Sequence, residues 1–309
     1  MNTIERFRGC LLGLATGDAV GTTVEFRRRG TFDPLKDMVG GGRFSLAPGQ
    51  WTDDTSMALC LAISLIERGE FNANDQMDRY CRWVDEGYLS STGRCFDIGG
   101  TVAAALRSYQ RDGNPYAGST DPNTAGNGCI MRLAPVVMFF YPDLEAVEHF
   151  AALSSRTTHA AEECVDACRL LARIVCRALS GRSKDDVLLG DSGTFVASGR
   201  IAAIARASYR DKPDETIRGS GYVVDSLEAA LWAFARTDSF EDAILRAANL
   251  GDDADTTAAV CGQVAGAYYG DKDIPSHWQE RLALRGEIVD LANRLGERRD
   301  MRSNIPCKP

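Results

Sequence analysis

Residues 251–269 read GDDADTTAAVCGQVAGAYY, an acidic turn running into an apolar stretch with small residues at every fourth position, Ala258, Gly262 and Gly266. Residues 4–19, IERFRGCLLGLATGDA, carry a matching pattern near the other end of the chain, with Gly9, Gly13 and Gly17. A four-residue spacing places such residues on one helix face. Glycine costs about 1 kcal/mol against alanine inside a helix, so a stripe of them needs a structural reason. Close approach of two helix backbones is that reason in other small-residue seams. Both stretches adjoin aspartates, so pairing them would gather acids from distant parts of the chain.

Outward from these two helices, apolar residues recur at three- and four-residue spacing over 55–67, 75–85, 101–111, 144–154, 161–179, 223–235, 240–249 and 278–295. Gly69, Gly87, Gly181, Gly251 and Gly270 lie where helices end, and Asn74, Ser239 and Ser276 where they start. Strand patterning is confined to a few residues near Phe44 or Phe195. Segments 27–50, 113–127 and 184–199 read as loops long enough for binding roles. A prior of about 150 residues per domain suggests two domains, but no Pro- or Ser-rich linker and no repeat divides the chain. The expected fold is all-α: one compact orthogonal multi-helix bundle with long loops, a single domain over residues 1–309.

The chain carries 43 acidic residues against 35 Lys and Arg, a formal charge of −8. That balance argues against nucleic acid held through a basic surface and against an anionic membrane. The start, MNTIERFRG, lacks a signal-peptide n-region followed by an apolar h-region, so no targeting signal is expected. The apolar stretch 129–141 is too short to span a bilayer and contains Arg132 and Pro135. None of the ten cysteines forms a CxxC pair, so buried reduced thiols in a cytoplasmic protein are expected. The protein is expected to be a monomer.

Two acid clusters each open a helix: Gln50-Trp51-Thr52-Asp53-Asp54-Thr55 and Gly251-Asp252-Asp253-Ala254-Asp255-Thr256-Thr257. Capping explains one Asp or Thr at a helix start. It does not explain adjacent carboxylates, which repel and raise one another's pKa. A divalent cation removes the conflict, and carboxylate and Thr oxygens suit Mg²⁺ or Mn²⁺. Asp253 to Thr257 also fits the DxDxT of aspartyl-phosphate phosphatases, but that motif follows a parallel strand, and here it follows a helical pattern. Neither cluster is the DDxxD of isoprenoid synthases, and the EF-hand ligand ladder is missing.

At these residues the sequence resembles the ADP-ribosylglycohydrolase family, whose members include ADP-ribosylarginine hydrolases and the dinitrogenase reductase-activating glycohydrolase. The resemblance runs in order through Gly17-Asp18-Ala19, Glu25-Phe26, Trp51 to Thr55 and Asp97-Ile98-Gly99-Gly100. It continues through Gly126-Asn127-Gly128, Met131 to Pro135 and Thr158-His159, and closes on Gly251 to Thr256. It implies an all-α fold with two divalent cations, Mg²⁺ or Mn²⁺, at the bottom of an ADP-ribose cleft. By motif position Thr52, Asp53, Asp54 and Asp255 hold one cation, and Asp253, Asp255 and Thr256 the other. Asp252, glycine in many relatives, is read as supporting the site rather than as a ligand. Glu25 matches a glutamate on a loop near the metals, and Asp97 an acid near the scissile ribose. Gly99, Gly100, Asn127, Gly128, Met131 and His159 match ribose and diphosphate contacts.

The residues themselves leave plainer readings open. The two glycine turns serve equally as ordinary turns or as diphosphate cradles. His159 reads as a cap, a core histidine or a ligand contact, Glu25 as a surface ion pair, and Asp97 as an N-cap. Arg132 reads as the partner of a buried carboxylate or as a ligand contact.

The activity the resemblance implies is metal-dependent hydrolysis of the C1″ glycosidic bond of an ADP-ribosylated protein or small molecule, with arginine the favoured acceptor. Asp97 would face a guanidinium leaving group, while Gly100 stands where some arginine-directed relatives carry Asn. Either Glu25 or a metal-bound aspartate such as Asp54 would take the water's proton. The alternatives are another ADP-ribose linkage, such as serine, and a non-catalytic ADP-ribose or nucleotide-binding module.

Overall fold

The computed structural model describes residues 1–303; the rest of the expected domain, 304–309, lies outside the described residues. The described residues form fourteen α-helices. The first seven are α1 (Thr3–Gly21), α2 (Asp53–Arg68), α3 (Ala73–Glu86), α4 (Gly100–Asp112), α5 (Ala134–Phe140), α6 (Leu144–Arg156) and α7 (Glu162–Leu179). Then follow α8 (Lys184–Leu189), α9 (Gly199–Ala205), α10 (Val223–Ala235), α11 (Phe240–Ala248), α12 (Ala254–Tyr269), α13 (Ser276–Arg281) and α14 (Arg285–Ser303). Among the described residues there is no strand, only isolated bridges such as Gly41 with Leu46 around Phe44. The all-α expectation is therefore met, and the strand suspected near Phe44 or Phe195 is not formed.

The two glycine-striped helices form the centre. A Cβ on Gly13 would lie 2.3 Å from the Gly262 carbonyl oxygen, and one on Gly17 2.1 Å from that of Ala258. From the other side, a Cβ on Gly266 would meet the Gly9 carbonyl oxygen at 1.9 Å. The backbones of α1 and α12 therefore touch directly. From Gly9 onward every residue of α1 is buried, as is α12 as far as Ala267. The remaining helices wrap this pair with an apolar core that includes Phe7, Trp51, Trp232 and Trp278. A second cluster, Met57, Tyr80, Trp83, Val102 and Met131, joins α2, α3 and α4 beside it.

Several expectations are corrected. The stretch 278–295 is two helices, because the chain turns at Leu282–Leu284: Leu284 takes a φ of 51° and Ala283 N–H donates to the Gly49 carbonyl. The N-cap of α3 is Asn72, which accepts from Asp75 N–H, and not Asn74. Ser239 caps α11 as expected, whereas Ser276 is the first residue of α13 after Pro275. The loop 184–199 contains α8, and 129–141 contains α5, a short buried helix with Pro135 in its first turn. Among the described residues no helix is long and apolar enough to cross a membrane.

Candidate active site

The α1–α12 contact sets the site. It places Asp18, fully buried near the end of α1, beside the start of α2. Its carboxylate accepts from Thr52 N–H and Oγ1, both at 2.9 Å, and from Thr55 N–H at 3.1 Å and Oγ1 at 2.7 Å. Four donors on one carboxylate hold the first turn of α2 and aim Asp53 and Asp54 inward. Burial raises the Asp18 pKa to about 6 against these hydrogen bonds. In sequence this residue is an acid within an apolar stretch and part of the Gly17-Asp18-Ala19 element, and in the fold it is buried and fully hydrogen-bonded to the start of α2.

The same contact brings the start of α12 to the start of α2. Thr256 Oγ1 lies 3.2 Å from Asp54 Oδ2, although the residues are 202 positions apart. Thr52 Oγ1 lies 3.3 Å from Asp255 Oδ2. Asp253 is oriented by Asn127 Nδ2 at 2.9 Å, and the same amide group lies 3.3 Å from Ser226 Oγ. The structure thus gathers Thr52, Asp54, Asp253, Asp255 and Thr256, and buried Asp53 lines the same cleft.

Glu25 and Asp97 close over this floor from two loops. Their carboxylate oxygens and one of Asp255 all lie within 4.8 Å of one another. Glu25 is buried rather than the surface ion pair it resembles in sequence. Asp97 does not cap α4, whose N-cap is Gly99. Asp252 exposes its side chain and supports the site through its backbone, its carbonyl accepting from Phe26 N–H and its N–H donating to the Arg27 carbonyl. Phe26 (φ 61°), Asp97 (φ 61°) and Asp252 (φ 54°) all adopt left-handed backbone conformations. Such strain costs on the order of 1 kcal/mol or more per residue and collects at functional sites.

The electrostatics are those of acids crowded without a counter-charge. Burial, then Asp97, Asp253 and Asp53, raise the Glu25 pKa to about 10. Burial with Asp18 and Asp253 raises Asp97 to about 7. Asp53, Asp54 and Asp255 are pushed well up by burial first and neighbouring carboxylates second, and no Lys or Arg ranks among the main influences. Among the described residues, Glu25 Oε2 and Asp54 Oδ1 are buried without a hydrogen-bond partner. Carboxylates left in this state suit hard divalent cations with oxygen ligands, so the donor set fits such a centre.

Above the acids lies a cleft of about 370 Å³, within the range of small-molecule sites. Phe26, Ile98, Gly99, Gly100, Gly126, Asn127, Gly128, Met131 and His159 line it. Gly99 and Gly100 open α4. The Gly126–Gly128 turn is tied across to Gly221 and Tyr222, two lining or neighbouring residues that no motif in the sequence singles out. A larger open groove of about 1040 Å³ runs along α6 and α7, but there Arg169 pairs with Glu148 and Asp166. The acids and the glycine turns meet only in the smaller cleft.

The ADP-ribosylglycohydrolase family pattern matches residues 1–304. The chain belongs to the ADP-ribosylglycohydrolase family. The ADP-ribosylarginine hydrolase Tri1 of Pseudomonas putida strain GB-1 is 46% identical over 295 residues, covering 96% of this chain and 79% of that protein. The ADP-ribosyl-dinitrogen reductase glycohydrolase of Rhodospirillum rubrum is 33% identical over 289 residues, 92% of each chain. A solved ADP-ribosylglycohydrolase-related protein complex contains a chain that superposes with a TM-score of 0.86 at 42% identity, covering 96% of this chain and 99% of that one. The family resemblance and the all-α fold read from the sequence agree with these findings.

Proposed function

We propose that the protein hydrolyses the C1″ bond between ADP-ribose and an acceptor arginine, using two divalent cations, Mg²⁺ or Mn²⁺. The observation that carries this reading is the convergence of the α2 and α12 acid clusters with Glu25 and Asp97 at the floor of a glycine-lined cleft. Thr52, Asp53, Asp54 and Asp255 are the residues to hold one cation, and Asp253, Asp255 and Thr256 the other. Bound there, the metals supply Lewis-acid polarisation and a water of lowered pKa.

The protein's own groups divide the remaining work. Water delivers hydroxide to C1″ and one proton, and the leaving guanidine nitrogen regains a proton as its bond to C1″ breaks. Cations held by the neighbouring aspartates would keep Glu25 ionised, and its buried, unpaired Oε2 would then accept the water's proton. Asp97, an acid neighbour of Glu25, is placed to balance the guanidinium as it departs. The oxocarbenium-like charge that develops at C1″ is favoured by the surrounding carboxylates. Asn127 keeps Asp253 in place, and the Gly99–Gly100 start of α4 offers backbone N–H groups to a diphosphate.

The experiment is release of ADP-ribose from arginine- and serine-linked peptides by the purified protein, with Mn²⁺, with Mg²⁺ and with chelator. Metal-dependent release from the arginine peptide is expected. Release from the serine peptide alone would reassign the acceptor, and tight ADP-ribose binding without release from either would make the protein a binding module. Asp253→Asn and Asp54→Asn are expected to abolish turnover, with circular dichroism showing an intact fold.

A further inference from the structure

Arg132 is completely buried, and among the described residues it pairs with no carboxylate. Its guanidinium sits 4.8 Å from the Tyr80 ring centroid and donates from Nη2 to Thr158 Oγ1 at 2.6 Å. That same hydroxyl lies 2.8 Å from His159 Nδ1. Arginine can only donate, so Thr158 Oγ1 accepts from it. The hydroxyl's single hydrogen then goes to His159 Nδ1, its other buried neighbour. The opposite arrangement, with Nδ1–H donating, would leave the hydroxyl hydrogen without an acceptor.

We propose that Arg132 and Thr158 are positioning residues that lock His159 as the neutral Nε2–H tautomer, so that it presents a donor and never an acceptor to an oxygen of the ligand in the cleft. Nδ1 is occupied by Thr158, while Nε2 has no hydrogen-bond partner among the described residues. The Nε2 edge lies against the turn that lines the cleft. A Cβ on Gly128 would fall 2.9 Å from Cε1, and one on Gly126 3.3 Å from Nε2. Glycine at both positions is what lets this edge approach the cleft wall. Burial and the Arg132 charge keep the ring neutral, lowering its pKa to about 4. A neutral donor suits a phosphate or ribose oxygen. The identity of that ligand rests on the proposed function, whereas the tautomer does not.

The test is ¹⁵N-histidine long-range NMR at pH 7, with His159→Gln used to assign its resonances among the three histidines. The wild type is expected to show His159 as pure Nε2–H. Thr158→Val, which keeps shape but removes the hydroxyl, is expected to give a mixed tautomer, and Thr158→Ser to restore the pure one. ADP-ribose affinity measured by calorimetry should fall about tenfold in the Val variant and recover in the Ser variant. A wild-type hydrogen on Nδ1, or an unchanged tautomer in a folded Thr158→Val protein, would overturn the relay. A locked Nε2–H tautomer with no ADP-ribose binding would uphold the relay and overturn the functional reading.

Discussion

At His159 two influences act in one direction, burial first and the Arg132 charge second, while Cys129 opposes them. The ring's pKa falls from 6.5 to about 4 in the folded chain. Because the folded value lies below the unfolded one, the unfolded chain takes up the proton first as pH drops. This stability is present above pH 6.5 and is lost as pH falls towards 4, a change of about 3 kcal/mol. Urea unfolding of wild type and His159→Gln between pH 7 and 4.5 should therefore show the wild type losing stability more steeply. Parallel curves would mean that the ring is not held neutral. Residue type and order alone make Asp53, Asp54, Asp253 and Asp255 readable as a group. Glu25 and Asp97 are less legible, since what separates a surface pair or a cap from a buried acid is which loops fold over them. Asp18 is visible as an anomaly in an apolar helix, but its four Thr-derived hydrogen bonds come from a segment more than 30 positions away.

At the scale of the helix, the small-residue stripes are the part of the fold that the sequence exposes most directly. Their spacing becomes, in the folded chain, direct backbone contact between α1 and α12. The contact also predicts a sharp contrast between glycines. Gly17→Ala would force a Cβ to within 2.1 Å of the Ala258 carbonyl oxygen, and neither backbone can yield without separating the helices. A loss of about 3 kcal/mol is expected, with metal affinity falling as the α2 and α12 acids part. Gly286→Ala in α14 meets nothing within 4 Å and should be neutral or stabilising by roughly 0.5 kcal/mol. Thermal melts with metal titration check both, and equal behaviour of the two variants would refute the seam. The helices that periodicity misses are the short ones. α5, α8 and α9 have six or seven residues, too few for two turns of apolar repeat to stand out. The break between α13 and α14 escapes for another reason: Leu282–Leu284 are apolar enough to continue a helix, and the turn is imposed by Gly49 and Trp51 from a distant loop.

For the whole molecule, the formal charge of −8 acquires a location, because several of its acids are buried together at the meeting of α2 and α12. Those acids oppose folding when ionised and uncompensated, so under the proposed function their placement would serve cation binding at the expense of the metal-free state. This separates two effects that ordinarily run together. In chelator at pH 7.5, Asp54→Asn should melt at or above the wild-type temperature, since it removes a carboxyl whose ionised form burial and its acid neighbours disfavour, while its amide oxygen still accepts from Thr256. With Mn²⁺ or Mg²⁺ the order should reverse. A metal that binds only the folded chain at 100 times its Kd adds about 2.7 kcal/mol, a rise of roughly 4 °C for a protein of this size. The wild type should gain it and Asp54→Asn should not. Scanning calorimetry of both proteins in both conditions decides the matter. A variant that melts well below the wild type in chelator would make Asp54 a structural residue. A wild type indifferent to metal would remove the cations from the mechanism and leave the carboxylates to act as shared-proton acids alone.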